Sequence, residues 1–106
     1  MVAGDITLGN GRGGVSIYGS TFESENFDLN HEKPFLLTQW NDEDPKKNKS
    51  LFGITFAKTP ILDGQHTVFG EVLDGIEVLK KISKAGTIDE DGKPTKKIII
   101  VDSGVL

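Results

Sequence analysis

Apolar residues fall in short bursts along this chain rather than in long helical stripes. "FLLTQW" (Phe35 to Trp40) and "LFGITFA" (Leu51 to Ala57) are brief apolar runs bounded by polar turn residues, the pattern of largely buried strands. The intervening "NDEDPKKNKS" is charged and contains proline, and reads as a solvated hairpin loop. Past Leu62, Asp63-Gly64 forms a turn signal, Thr67 to Leu73 alternates, and Asp74-Gly75 turns again. One helix is predicted near 76–84: Ile76, Leu79 and Ile82 recur every three residues with Val78 beside them. Glu77 and Lys81 lie four apart on the outer side, and Gly86 offers a stop. The β-branched run Ile98 to Val101 reads as a central strand. Strands at this spacing with one helix predict a mainly β protein, an antiparallel sheet or barrel.

The stretch Gly9-Asn10-Gly11-Arg12-Gly13-Gly14 satisfies G-x-G-x-x-G, the spacing of a dinucleotide-binding turn, and Asp28 lies near where a ribose-binding acid belongs. That chemistry needs a helix opening at the last glycine, so that its N-terminus faces a pyrophosphate. Here "VSIYGSTF" follows, with no apolar positions at helical spacing. The glycines are therefore read as a loop needing unusual φ values.

Composition narrows the function classes. The 106 residues, 36% hydrophobic, allow one domain. Net charge is −4 with scattered lysines and a single arginine, which argues against nucleic acid or an anionic membrane as partner. The lack of cysteine removes disulfides and thiolate chemistry. No apolar run approaches a membrane span and no signal-peptide pattern opens the chain, so an intracellular, cytoplasmic location is expected. His31 and His66 lack a helical partner four residues away, so no metal or cofactor is expected, and no Ser, His and acid stand at a triad spacing.

The segments "MVAGD", "GNGRGGVSIYGSTFESENF", "LDGQHTVFGEVLDG" and "KPTKKIIIVDSGVL" follow one another as they do in cyclophilins, the peptidyl-prolyl cis-trans isomerases, and the chain resembles that family from Met1 to Leu106. The resemblance implies part of a closed antiparallel β-barrel with the helix near 76–84 as a cap. It covers about the C-terminal three-fifths of the family domain. Residues 1–106 are thus expected to form an incomplete domain, lacking the N-terminal strands, the first helix and the strand that carries the family's catalytic arginine. Arg12, the sole arginine, falls in the glycine loop and does not align with it.

The resemblance also implies a substrate groove for proline-containing peptides, retained at Met1, Gly11, Asn41, Leu62 and His66. No catalytic residue carries over with certainty, His66 being the one candidate. The pocket is altered elsewhere: Leu51 and Ala3 stand at family glutamines, and Gly53 at the aromatic that floors the proline pocket. Ile61 replaces a tryptophan, and Trp40 a small alanine. Trp40 either refills the volume lost at Gly53 or plugs it, and His66 either meets substrate or only ties its turn to the next strand. The expected function is a proline isomerase with weak or lost activity, against the alternative of a non-catalytic protein-binding or structural module. Another chain completing the barrel, or self-association, is the expected consequence of unpaired strand edges. Size-exclusion chromatography of the isolated chain is expected to show a species larger than the monomer; a monomeric radius with a sharp two-state melt would contradict this.

Overall fold

The computed structural model describes residues 1–85, 94 and 96–106. Two compact units divide the chain, Met1–Leu73 and Asp74–Leu106. In the first, four strands form one antiparallel sheet: β1 (Val2–Ala3), β2 (Leu36–Gln39), β3 (Phe52–Ile54) and β4 (Val68–Glu71), in spatial order β1-β3-β2-β4. Both apolar bursts become adjacent strands, with Thr38 opposite Gly53 and Gln39 opposite Phe52. Gly53 also faces Val2 across β1–β3. Along β2, the pairing with β4 slips between Leu37 and Thr38, where a bulge lets Thr38 meet Val68. The sheet is open.

The hairpin connection joining β2 to β3 is not merely solvated. Asn48 is fully buried and donates through Nδ2 to Phe22 O, Ser24 Oγ and Pro45 O. Backbone bonds in both directions between Phe22 and Asn48 complete the clamp, so the charged loop is pinned by one amide while Lys46 and Lys47 stay exposed. Gln39 Nε2 donates to the carbonyls of Lys49 and Leu51, closing the hairpin from the strand side.

The glycine loop folds around a carboxylate of its own. Asp5 accepts backbone N–H bonds from Thr7 and Leu8 at Oδ1 and from Asn10, Gly11 and Gly13 at Oδ2, with the Thr7 hydroxyl adding another. A nest of amides of this kind is where an external anion would sit, and an internal one already sits there. Gly13 has no alternative, because a Cβ would collide with Asp5 Oδ1 and Thr7 Oγ1. Gly4 is likewise required: its φ is +97° and a Cβ would collide with the Ser50 carbonyl. The hydrogen bonds, that from Leu8 foremost, hold the Asp5 carboxyl well below its ordinary value, against a smaller desolvation effect.

In the second unit, Ile76–Lys84 forms α1, as the apolar spacing predicts. Leu79 is buried, Ile76 and Ile82 are half-buried, and Val78 is exposed. The predicted stop at Gly86 lies outside the described residues. The expectation of a central strand at Ile98 to Val101 is corrected: these residues form no strand and are 41% to 92% exposed. β-branched residues favour extended backbone only where a neighbouring edge supplies a ladder, and among the described residues none pairs with this run.

The Asp5→Asn variant replaces an acceptor oxygen with a donor facing other donors. Hydrogen exchange of the Gly11 and Gly13 amides is expected to accelerate by about tenfold, read by NMR. With pH, a depressed folded-state carboxyl contributes stability that is present above its ordinary value of 3.8 and lost as pH falls towards the folded value. In the wild-type protein, protection of the loop amides is therefore expected to persist unchanged down to about pH 4.

Candidate functional site

A groove of about 250 Å³ opens on the sheet face beside β3, lined among others by Met1, Thr38, Trp40, Gly53, Phe56 and Leu62. The alternation of a strand puts Thr38 and Trp40 on one side of the sheet. The pairing of Thr38 with Gly53 brings the bare backbone of β3 beneath them. A Cβ on Gly53 would lie 3.2 Å from the Thr38 methyl, 3.4 Å from the Met1 carbonyl and 3.5 Å from Trp40 Cε3. The indole thus hangs over the place where a side chain at position 53 would emerge. Met1 closes the end of the groove as a strand residue would, exchanging two hydrogen bonds with Ile54 through its amino group and its carbonyl.

Trp40 is held from behind. Its ring lies parallel to that of His66, with centroids 4.5 Å apart and planes 9° from coplanar. His66 is buried, and its Nδ1 donates to the Gln39 carbonyl at 3.2 Å, which fixes the proton on that nitrogen. Burial pushes the His66 pKa down; the bond to Gln39 opposes this, and charge on His31 adds to it. A neutral, stacked imidazole is therefore the resting state of this support.

Beneath the groove lies a buried relay. His31 is completely inaccessible. Its Nδ1 and its backbone N–H both donate to Asp63 Oδ1, at 2.8 and 2.7 Å, and its Nε2 lies 2.8 Å from Thr38 Oγ1. The Thr38 hydroxyl in turn donates to the Thr67 carbonyl at 3.2 Å, so the chain of contacts runs from Asp63 through His31 and Thr38 to the backbone of Thr67. Asp63 follows the short 3-10 helix Pro60–Leu62 that carries Leu62, and the two bonds from His31, backbone first, lower its pKa. The order Asp, His, Thr has the form of a nucleophilic triad, but the chemistry is absent. The Thr38 methyl faces Gly53 while the hydroxyl points away to His31. The relay is a strut between the turn bearing Leu62 and the groove floor.

The sequence-derived candidates divide into groups. Met1, Leu62, Trp40 and Gly53 share the groove. His66 supports it from behind Trp40. Asn41 is buried, donating to Asn48 Oδ1 and Gln65 O, with its own Oδ1 unpartnered. Leu51 is core, and Ala3 pairs with Phe52 in β1. Gly11 is exposed on the Asp5 nest, and Ile61 projects into solvent at 86% exposure. Arg12, in the same loop, does not line the groove. Sequence reasoning missed His31, Thr38 and Phe56. For His31 no local signal existed, since its partner Asp63 is 32 residues away.

The profile of the family described as "Cyclophilin type peptidyl-prolyl cis-trans isomerase/CLD" matches residues 1–105. Peptidyl-prolyl cis-trans isomerase D of Kluyveromyces lactis is 50% identical over 103 residues, covering 97% of this chain and 27% of the relative. The crystal structure of a Cryptosporidium parvum cyclophilin type peptidyl-prolyl cis-trans isomerase superposes with a TM-score of 0.86 at 35% identity, covering 95% of this chain and 63% of that one. The chain therefore spans about a quarter of the first relative and less than two thirds of the second.

Removing the strut is expected to be costly. His31→Ala removes the imidazole contacts to Thr38 and Asp63 and leaves a cavity between them, the backbone bond to Asp63 remaining, and chemical denaturation should show a loss of about 3 kcal/mol. Thr38→Val, which keeps shape and strands only Nε2, is expected to lose about 1–2 kcal/mol. His66 sets a pH window. Its depressed folded pKa means that the unfolded ring takes a proton first as pH drops. Its contribution is complete above about 6.5 and declines below it. The melting temperature is expected to fall between about pH 6.5 and 5, and this part of the fall should be absent in His66→Phe.

Proposed function

Since the chain belongs to the cyclophilin-type peptidyl-prolyl cis-trans isomerase family, we propose that its groove seats X-Pro segments of polypeptides and that the chain by itself isomerises them weakly or not at all. The observation that carries the first part is the groove between Met1, Trp40, Gly53 and Leu62, apolar enough to anchor a proline ring and placed on the rigid β2–β3 pair.

The second part follows from what the reaction requires. Rotation about a peptide bond faces a barrier of about 18–20 kcal/mol. Lowering it needs no nucleophile or metal; it needs contacts that strengthen as the amide twists, above all a cationic donor near the prolyl nitrogen. The resemblance assigns that donor to an arginine. In this chain the only arginine is Arg12, whose backbone N–H caps Asn10 in the exposed loop. Among the described residues no basic side chain lines the groove. By comparison with the loss of one transition-state donor, the deficit is about 3–4 kcal/mol.

Residues 1–106 act in this reading as the peptide-seating portion of a cyclophilin-like domain. A second reading, a non-catalytic module that binds a protein partner, draws on the same missing cation together with the exposed Ile98 to Val101 run, which pairs with no strand among the described residues and has the composition of a strand awaiting an edge.

NMR exchange spectroscopy of an Ala-Pro peptide at stoichiometric protein distinguishes these readings. Exchange peaks are expected to be weak or absent with the chain alone. They should appear when a cyclophilin-type arm carrying the arginine strand is joined ahead of Met1. Strong exchange with the chain alone would refute the role given to the arginine. Silence in both, with the arm-bearing protein folded, would favour the binding module.

A further inference from the structure

Positions 40 and 53 are spatially reciprocal. Gly53 offers no side chain where the groove floor lies, and the Trp40 indole places its Cε3 edge 3.5 Å from the missing Cβ. The opposite constraint comes from His66, whose parallel stack at 4.5 Å fixes the plane of the indole. The stack itself is anchored by the bond from His66 Nδ1 to Gln39, the residue preceding Trp40. A half-buried aromatic locked on one face by a ring and lining a groove with its edge is a wall, whereas core filler would be enclosed on every side. With an aromatic at both positions, the groove beside Thr38 would be occupied by protein; with one, about 250 Å³ remains open.

We propose that Trp40 is the specificity-determining wall of the groove, the surface against which the proline ring of a bound peptide packs, and that Gly53 is its small partner, leaving room for the indole. This rests on the peptide-seating function proposed above and adds which residue carries it. The wall is delivered from the end of β2 and braced by His66, so the ring seat sits at the Met1–Trp40 side of the groove. Thr38, held by His31, sets the depth of the floor through its methyl group.

The test is a double-mutant cycle with two readouts on each protein: thermal melting, and affinity for an acetylated Ala-Pro amide measured from broadening of the peptide NMR lines. Trp40→Ala is expected to weaken affinity by about tenfold, and Trp40→Phe, which keeps a stacked ring, by no more than about threefold. Gly53→Phe alone should lower both melting temperature and affinity, because its ring enters the volume of the indole. The double variant Trp40→Ala/Gly53→Phe should recover both towards wild type, since one aromatic again occupies the shared space.

The proposal is overturned if Trp40→Ala changes melting but leaves affinity as in wild type, or if the two substitutions are additive in affinity. Exchange spectroscopy on the same variants, each joined to the arginine-bearing arm, distinguishes failure of the wall from failure of the isomerase reading. Trp40-dependent binding without any exchange in the arm-bearing proteins would sink the isomerase reading and sustain the wall. Exchange that is indifferent to both substitutions would do the reverse. Should Gly53→Phe fail to fold, Trp40→Ala and Trp40→Phe retain the test: affinity is expected to fall about tenfold in the first and by no more than about threefold in the second, and equal affinity in both would overturn the proposal.

Discussion

A fully buried histidine holds the first unit together at the point where the groove is built. His31 ties three segments distant in sequence: its own loop, the Asp63 turn and β2 at Thr38. The buried apolar set of this unit is small, Leu36, Leu51 and Val68, while His31, Thr38, Asn41, Asn48, Thr55 and His66 are all buried beside it. An interior with so many polar side chains is stable only if each finds its partner, because an unpaired buried donor or acceptor costs about 1–3 kcal/mol. The orientation of Thr38, and through it the floor of the groove, is therefore set by a hydrogen-bond chain and not by apolar packing alone. Asn48 plays the equivalent role for the charged loop, whose course is dictated by three acceptors around one amide.

The glycine loop shows how a motif can satisfy a pattern and reverse its meaning. Backbone amides converging on one point form an anion site whatever the anion is. Here the anion is Asp5, supplied from within the loop. The internal carboxylate costs little entropy to localise and leaves no open coordination for a phosphate. The same glycine spacing that reads as nucleotide binding thus becomes a self-contained turn, and Arg12 is carried at its exterior, away from the groove.

Function at the groove depends on a division of labour between shape and charge. The shape is present: an indole braced on an imidazole, a bare glycine beneath it, and apolar side chains around them. A cationic side chain is not, since among the described residues the lining holds neither lysine nor arginine. Binding a proline ring and stabilising a twisted amide are separable demands, because the first is satisfied equally in ground and transition states and only the second lowers the barrier. The function proposed for this chain rests on that separation.

Local signals identified the elements with local causes. The helix followed from apolar spacing at Ile76, Leu79 and Ile82, and β2, β3 and β4 from short apolar or alternating runs between turn residues, because these patterns encode which face is dry. The registered segments from "GNGRGG" to "LDGQH" carried the family, and of the candidate positions that came with it Met1, Trp40, Gly53 and Leu62 line one groove. What tertiary structure decided was every relation between distant residues: that Asp5 fills the glycine nest, that His31 reaches Asp63 across 32 positions, and that Trp40 overhangs Gly53. The Ile98 to Val101 run shows the same limit from the other side. β-branching makes a residue fit for a strand, but a strand exists only where another edge meets it, and that is a property of the fold and not of the segment.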